Sequence, residues 1–201
     1  MPARRKASVG DWLALLMPAP LYIAARRMLD ALMGRTLAPQ TAALLSQAVI
    51  LVFSAGVYGR LCRHTQTKPP QPPGKSLLRC GIAGLALGAI TAGLSALMHA
   101  QTADRSWQTA LLLCLLAPVS EEILFRGFVY QAGERIGGGR AALLLSAALF
   151  AAAHGTPMKA LAALPAGLVL GCARLREGRL AAPILLHILA NTAVFLLQGR
   201  L

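Results

Sequence analysis

Charged residues are scarce in this sequence, and acidic residues are the scarcest of them. Asp and Glu together number 7 in 201 residues, and all charged residues make up 13% of the chain. A soluble domain carries about 25% charged residues, so this composition is not that of a soluble fold. Hydrophobic residues make up 56% and aromatic residues only 5%. The composition predicts an all-α polytopic bundle of membrane helices, in which small residues let helix backbones pack closely.

Cysteine pairs at the spacing of metal or redox sites are also absent. The four cysteines are Cys62, Cys80, Cys114 and Cys172. No two of them form a CxxC motif, so neither a zinc knuckle nor a redox-active pair is indicated. Three of them lie in or beside apolar runs, where cysteine usually serves as a small buried hydrophobe.

The basic residues form no cluster with aromatic residues. The net charge is +13, but Lys and Arg lie between apolar runs, which disfavours a nucleic-acid partner. A membrane span needs about 20 apolar residues. About seven segments approach this length, and the first is short enough to lie in the interface instead. The candidate spans are Trp12–Ala25, Leu37–Tyr58, Cys80–Met98, Trp107–Tyr130, Ala141–His154, Met158–Leu175 and Leu180–Leu197.

The positions of the basic residues predict how these spans are oriented. If all seven cross the membrane, most Lys and Arg residues fall on the side that holds the N-terminus. The positive-inside rule then places the N-terminus in the cytoplasm. We therefore expect an integral membrane protein, with a bacterial inner (plasma) membrane as its location.

Two adjacent carboxylates, Glu121 and Glu122, lie well inside the predicted fourth span. A charged residue at the centre of a membrane helix costs roughly 2.5–3.5 kcal/mol, so it usually borders a cavity or a partner. Arg126 follows Glu122 by four residues, and such a pair shares one helix face. We therefore expect Glu122 to pair with Arg126 and to support the site. Glu121 then lies outside the ion pair and is the candidate general base.

Three further polar residues lie in predicted spans. His154 ends the fifth span, and His187 and Asn191 are four residues apart on the seventh. A rise of about 1.5 Å per residue puts Glu121 and these three side chains roughly 12–21 Å from the cytoplasmic face. The pattern predicts a site between the fourth, fifth and seventh spans. Its amide and imidazole groups could stabilise an oxyanion.

The order and spacing of these residues resemble a known family. The segment EEILFR fits EExxxR, FAAAH fits FxxxH and HILAN fits HxxxN. This is the pattern of the CPBP intramembrane proteases, also called the ABI family, which include CaaX prenyl endopeptidases and bacteriocin-processing enzymes. By this resemblance, residues 107–201 form a catalytic helical core. Residues 1–106 form N-terminal transmembrane helices and a basic loop of the same membrane domain.

The resemblance implies an intramembrane endopeptidase that acts on a membrane-associated protein or peptide. Glu121 matches the carboxylate that activates water, and His154 matches a residue that helps to hold this water. His187 and Asn191 match the groups that stabilise the oxyanion. The supporting positions are Glu122 and Arg126. The substrate could be a prenylated CaaX end, a bacteriocin leader or a sorting-tagged precursor.

Other functions use the same residues. Glu121, His154 and His187 could hold zinc with water as a further ligand, although the chain has no HExxH motif. Chemistry without a cofactor is the expectation, and a zinc metalloprotease is the alternative. A non-catalytic scaffold or immunity protein of the same fold is another alternative. A proton or ion relay is a further one, but the sequence shows no inverted repeat of the kind found in transporters.

Overall fold

The computed structural model describes residues 7–61, 73–97 and 104–197. Within these ranges the secondary structure is entirely helical, which confirms the predicted all-α class. The first helices are α1 (Val9–Leu16), α2 (Pro18–Met33), α3 (Pro39–Leu61) and α4 (Pro73–Leu97). They are followed by α5 (Trp107–Leu111), the π-helical segment π1 (Leu112–Leu116), α6 (Ala117–Glu122), the π-helical segment π2 (Ile123–Val129), α7 (Tyr130–Ala152), α8 (Pro157–Glu177) and α9 (Ala181–Leu197).

Several helix ends are encoded by local capping residues. Ser8 and Asp11 form a reciprocal capping box at the start of α1. Thr156 accepts a hydrogen bond from the Lys159 amide at the start of α8, and Pro157 occupies the first helical turn, where its missing N–H costs nothing. Gly178 ends α8 in the left-handed conformation that glycine adopts without strain. These residues fix where α1 begins and where α8 begins and ends.

The predicted first span, Trp12–Ala25, is not one helix. The structure interrupts it at Met17, and α2 then continues to Met33. Pro18 and Pro20 follow the interruption and cannot donate the backbone hydrogen bonds that a continuous helix needs. The sequence-based bounds of this span are therefore wrong at both ends.

The predicted fourth and fifth spans are joined without a loop. The chain is helical from Trp107 to Ala152, and the break between the two spans is confined to Gly138. Gly138 has a φ of 78°, which a residue with a side chain rarely adopts. Helix α7 ends at Ala152, so His154 lies in the turn before α8 and not on the fifth span as predicted.

The bundle is apolar on the outside and partly polar on the inside. Exposed apolar side chains cover its surface, with Phe53 72% exposed and Leu161 67% exposed. Several polar residues are fully buried, namely Ser46, Gln47, Ser120, Glu122, Arg126 and Ser146. This distribution is typical of helices surrounded by lipid, where polar groups turn towards the bundle interior.

Two of the described helical stretches are long and apolar enough to cross a membrane unaided. They are Pro39–Arg60 and Pro157–Glu177, and shorter apolar stretches lie at Leu78–Thr91 and Ala181–Leu197. The seven-span count and the cytoplasmic N-terminus therefore stay predictions. The domain division at residue 106 also stays a prediction, although α4 packs along α9 across it.

Two glycines bring α4 unusually close to α9. A methyl group on Gly84 would lie 2.5 Å from the Leu186 carbonyl oxygen, and one on Gly88 would lie 2.4 Å from the Ala190 carbonyl oxygen. Glycines four residues apart allow such close contact between membrane helices. This packing fixes the position of α9, which carries His187 and Asn191.

We expect Gly88→Ala to destabilise the protein, because the added methyl group meets backbone that cannot move aside. Overpacking typically costs about 1–3 kcal/mol. Denaturant unfolding in detergent micelles, followed by circular dichroism, measures the effect. Gly56→Ala is the matched control, because a methyl group there meets nothing within 4 Å. Equal stability of the two variants would contradict the close α4–α9 contact.

Candidate active site

The two acidic residues lie on a short helix between two π-helical segments. Helix α6 has six residues, Ala117–Glu122, with π1 before it and π2 after it. Side chains of other helices bond to carbonyl groups of both π segments. Asn191 donates to the Leu113 carbonyl at 2.9 Å, and Arg174 donates to the Arg126 carbonyl at 3.2 Å. Such interruptions of α-helices are frequent at functional sites.

Glu122 is the centre of a buried ionic network. Its side chain is fully buried, and its Oε1 atom lies 3.1 Å from Nη1 of Arg126. The predicted ion pair between these residues is therefore confirmed. Arg126 also donates to the Gly167 carbonyl at 2.8 Å, and its guanidinium group lies 4.7 Å from the centre of the Phe150 ring. These contacts offset the cost of burying the charge.

Glu122 also makes a contact that the sequence analysis missed. Its Oε1 atom lies 2.9 Å from Nδ1 of His187. An ionised carboxylate can only accept a hydrogen bond, so Nδ1 carries the proton and donates it. Nε2 is then directed away from Glu122. A carboxylate that orients an imidazole in this way recurs in several hydrolase sites.

Glu121 faces the other nitrogen of the same imidazole. Its Oε2 atom lies 3.9 Å from Nε2 of His187. This distance is too long for a direct hydrogen bond, and it suits a bridging water molecule. The Glu121 side chain is 26% exposed, whereas that of Glu122 is buried completely. Glu121 also makes no hydrogen bond to the described residues, so its carboxylate is available to a water or a substrate.

His187 also lines a cavity together with the two remaining predicted residues, His154 and Asn191. The cavity has a volume of about 190 Å³, and His154, His187 and Asn191 form its polar wall. The Phe150 ring lies between the two imidazoles, 4.8 Å from the His154 ring and 5.8 Å from the His187 ring. Nδ1 of His154 lies 2.8 Å from the Phe150 carbonyl oxygen, which leaves its Nε2 atom available. The remaining lining residues are Leu87, Thr91, Ala162, Ala163, Ala166, Leu170, Ala190 and Val194.

The structure thus brings the predicted site residues together from three parts of the chain. Glu121 and Glu122 come from α6, His154 from the turn after α7, and His187 and Asn191 from α9. The catalytic roles assigned to them stay predictions.

The predicted zinc ligands do not form a metal site as they are arranged here. No three His, Cys, Asp or Glu side chains converge on a common point anywhere in the described ranges. Zinc needs its protein ligands at about 2.0–2.3 Å from the ion. The set of Glu121, His154 and His187 therefore does not fit a zinc ion in this arrangement.

A polar cluster that was not predicted from the sequence reaches α6 from the N-terminal helices. Gln47 of α3 is fully buried and donates hydrogen bonds to Tyr22 of α2 and Ser120 of α6. A signal for it was present, because Ser46 and Gln47 are polar residues inside an otherwise apolar stretch.

Comparison with known protein families gives a match to part of the chain. Residues 103–193 match the family described as Type II CAAX prenyl endopeptidase Rce1-like. The match confirms the resemblance to the CPBP family over these residues, which we call the CPBP region. The CPBP region contains every predicted site residue and excludes α1 to α4. The CPBP family consists of CaaX-type intramembrane proteases, which are hydrolases. No curated protein and no solved structure gives a significant match to the chain.

Loss of Arg126 should destabilise this CPBP region strongly. Arg126→Ala leaves the buried Glu122 carboxylate without its cation, and breaking a buried pair in this way costs about 3–5 kcal/mol. Denaturant unfolding in micelles measures the loss. Arg140→Ala is the matched control because Arg140 is an exposed arginine on α7. The double variant Glu122→Gln with Arg126→Met should recover part of the stability. Wild-type stability of Arg126→Ala would show that the pair is not buried.

Proposed function

We propose that this protein is an intramembrane endopeptidase that hydrolyses a peptide bond of a membrane-associated protein or peptide with water activated by Glu121. The observation that carries this proposal is the position of the Glu121 carboxylate. It lies 3.9 Å from Nε2 of His187, and His187 in turn lines one cavity with His154 and Asn191. The family match supports the same class of enzyme.

Glu121 acts as the general base in this proposal. A water molecule bound between Oε2 of Glu121 and Nε2 of His187 can transfer a proton to the carboxylate as it attacks. A positioned general base typically raises the reaction rate by roughly 10²–10⁴-fold. Glu122 keeps the His187 ring in place through Nδ1. His154 assists through its Nε2 atom, which the bond to Phe150 leaves available for the same water.

Asn191 and His187 stabilise the oxyanion. One N–H of the Asn191 amide is bonded to the Leu113 carbonyl, and the amide carries a second N–H that can donate into the cavity. In this proposal His187 enters the step with both ring nitrogens protonated, so Nδ1 donates to Glu122 while Nε2 donates first to the water and then to the oxyanion. Each donor aimed at an oxyanion typically contributes about 2.7–4 kcal/mol to catalysis.

The reaction balances without a further reagent. Water loses a proton to Glu121, and its oxygen forms a bond to the carbonyl carbon of the scissile peptide. The carbonyl oxygen becomes the oxyanion held by Asn191 and His187. When the C–N bond breaks, Glu121 returns the proton to the leaving amine, and the products are a carboxylic acid and an amine.

The family description makes a prenylated CaaX peptide the first substrate to test. A bacteriocin leader and a sorting-tagged precursor are the further members of the panel. All three would be presented to the protein as an unwound peptide at the membrane. The lipid bilayer is therefore a partner of the protein as well as the substrate. A folded wild-type protein that cleaves none of them would favour a scaffold or immunity role.

Glu121→Gln should abolish cleavage without unfolding the protein. The amide keeps the shape of the side chain but cannot accept the proton, so kcat should fall by about 10²–10⁴-fold. His154→Ala should give a smaller loss. The measurement is turnover of the substrate panel by the purified protein in lipid vesicles. Glu134→Gln, which alters a carboxylate on α7 outside the site, is the control and should match wild type. Unchanged turnover by both site variants would refute the assignment.

A strong chelator should leave turnover unchanged if the reaction needs no metal. Wild-type protein is incubated with 1,10-phenanthroline, the chelator and its bound metal are removed, and the protein is assayed. The zinc content of the active protein is measured by mass spectrometry. Loss of activity that added zinc restores, together with stoichiometric zinc in the active protein, would favour the zinc alternative, with Glu121, His154 and His187 as the candidate ligands. The side chains would then have to move from their present arrangement.

A further inference from the structure

A hydrogen-bonded cluster joins α2 and α3 to Ser120, the residue immediately before Glu121. We call it the Gln47 network, and its members are Tyr22, Arg26, Gln47 and Ser120. Three of the four residues lie outside residues 103–193, so they are not part of the matched family region. Gln47 and Ser120 are fully buried, and Tyr22 and Arg26 are partly buried.

The orientation of the Gln47 amide follows from its neighbours. A guanidinium group has only donors, so the amide atom that faces Arg26 must be the oxygen. The NH₂ group then faces Tyr22 and Ser120, and it donates to the Tyr22 hydroxyl at 2.9 Å. Arg26 is itself held by Asp30, at 2.9 Å from Nε to Oδ2. Each polar atom of the amide therefore has a defined partner.

The Ser120 hydroxyl transmits this arrangement to α6. It accepts from Gln47 and donates to the Leu116 carbonyl at 2.8 Å. The Tyr22 hydroxyl oxygen lies 3.5 Å from the Ser120 hydroxyl oxygen. Successive side chains on a helix point about 100° apart, since 3.6 residues make one turn. The hydrogen bonds that hold the Ser120 side chain therefore also set the direction in which the Glu121 side chain points from the helix.

External support matters here because α6 is short. Its six residues lie between two π-helical segments, so a regular α-helical hydrogen-bond ladder does not continue on either side. Glu122 is anchored by Arg126 and His187, and Ser120 is anchored by the Gln47 network. Glu121 lies between these two anchored residues and has no hydrogen bond of its own to the described residues.

We infer that Tyr22, Arg26 and Gln47 are positioning residues for the reaction. Gln47 and Tyr22 contact the Ser120 hydroxyl, Arg26 holds the Gln47 amide, and together these contacts direct the Glu121 carboxylate towards His187. This inference rests on the proposed function. The N-terminal helices would then take part in catalysis although the matched family region does not include them. A purely structural network would instead affect the stability of the fold and leave the turnover of the folded enzyme unchanged.

Two variants separate these roles. Gln47→Glu keeps the side-chain shape and the acceptor for Arg26, but its carboxylate cannot donate to Ser120. Tyr22→Phe removes only the hydroxyl group. We expect both variants to lower kcat by about 10–100-fold, as for a small misplacement of a catalytic group. KM should stay within about threefold of the wild-type value, because substrate binding is not altered.

The measurement is steady-state cleavage of the substrate panel in vesicles, with unfolding midpoints recorded for every variant. Tyr58→Phe is the matched control, because Tyr58 is a tyrosine of α3 outside the Gln47 network. It should retain the kcat of wild type. Rates are referred to the folded fraction, so that a change in stability is not counted as a change in turnover.

Wild-type protein and Glu121→Gln are assayed in the same series. If wild type cleaves, Glu121→Gln does not, and Gln47→Glu and Tyr22→Phe retain wild-type kcat, the positioning role is refuted while the proposed function stands. A change confined to KM or to the unfolding midpoint also refutes it. If wild type cleaves no substrate, the proposed function fails, and the inference fails with it.

Discussion

The arrangement of the site depends on one buried carboxylate. Glu122 is fully buried, and a single oxygen of its side chain accepts from Arg126 on its own helical run and from His187 on α9. An unpaired charge in such an interior costs several kcal/mol. Removing either partner alone should therefore destabilise the packing of these helices. The same requirement orients the His187 imidazole, which leaves its other nitrogen facing Glu121.

Helix packing supplies the second part of this arrangement. Gly84 and Gly88 let α9 approach α4 to a distance that any side chain would prevent. Asn191 then reaches the carbonyl of Leu113 in π1, so α9 is bonded both to π1 and, through His187, to Glu122 of α6. The apolar outer surface leaves these contacts inside the bundle, away from lipid. Close backbone packing and buried polar bonds thus depend on each other.

Much of the candidate site could be predicted from local spacing. The pairing of Glu122 with Arg126 follows from their four-residue separation, and the same rule places His187 and Asn191 on one face of a helix. The bond between Glu122 and His187 could not be predicted in this way, because it joins residues 65 positions apart. The Gln47 network was missed for the same reason. Two predicted helix bounds were wrong for local reasons. Pro18 and Pro20 follow the interruption at Met17, and the Thr156 cap fixes where α8 begins after α7 ends at Ala152.

The sequence alone determined the all-helical class, the apolar surroundings and the identity of the few polar residues that such surroundings must accommodate. Composition and periodicity decide these properties, because the cost of placing charge or backbone in hydrocarbon depends on each residue and its near neighbours. Only the tertiary structure decided which imidazole nitrogen faces Glu121, which residues line the cavity and which helices support α6. Those features depend on how distant helices pack, and hydrogen bonds between side chains on different helices have no fixed spacing along the chain.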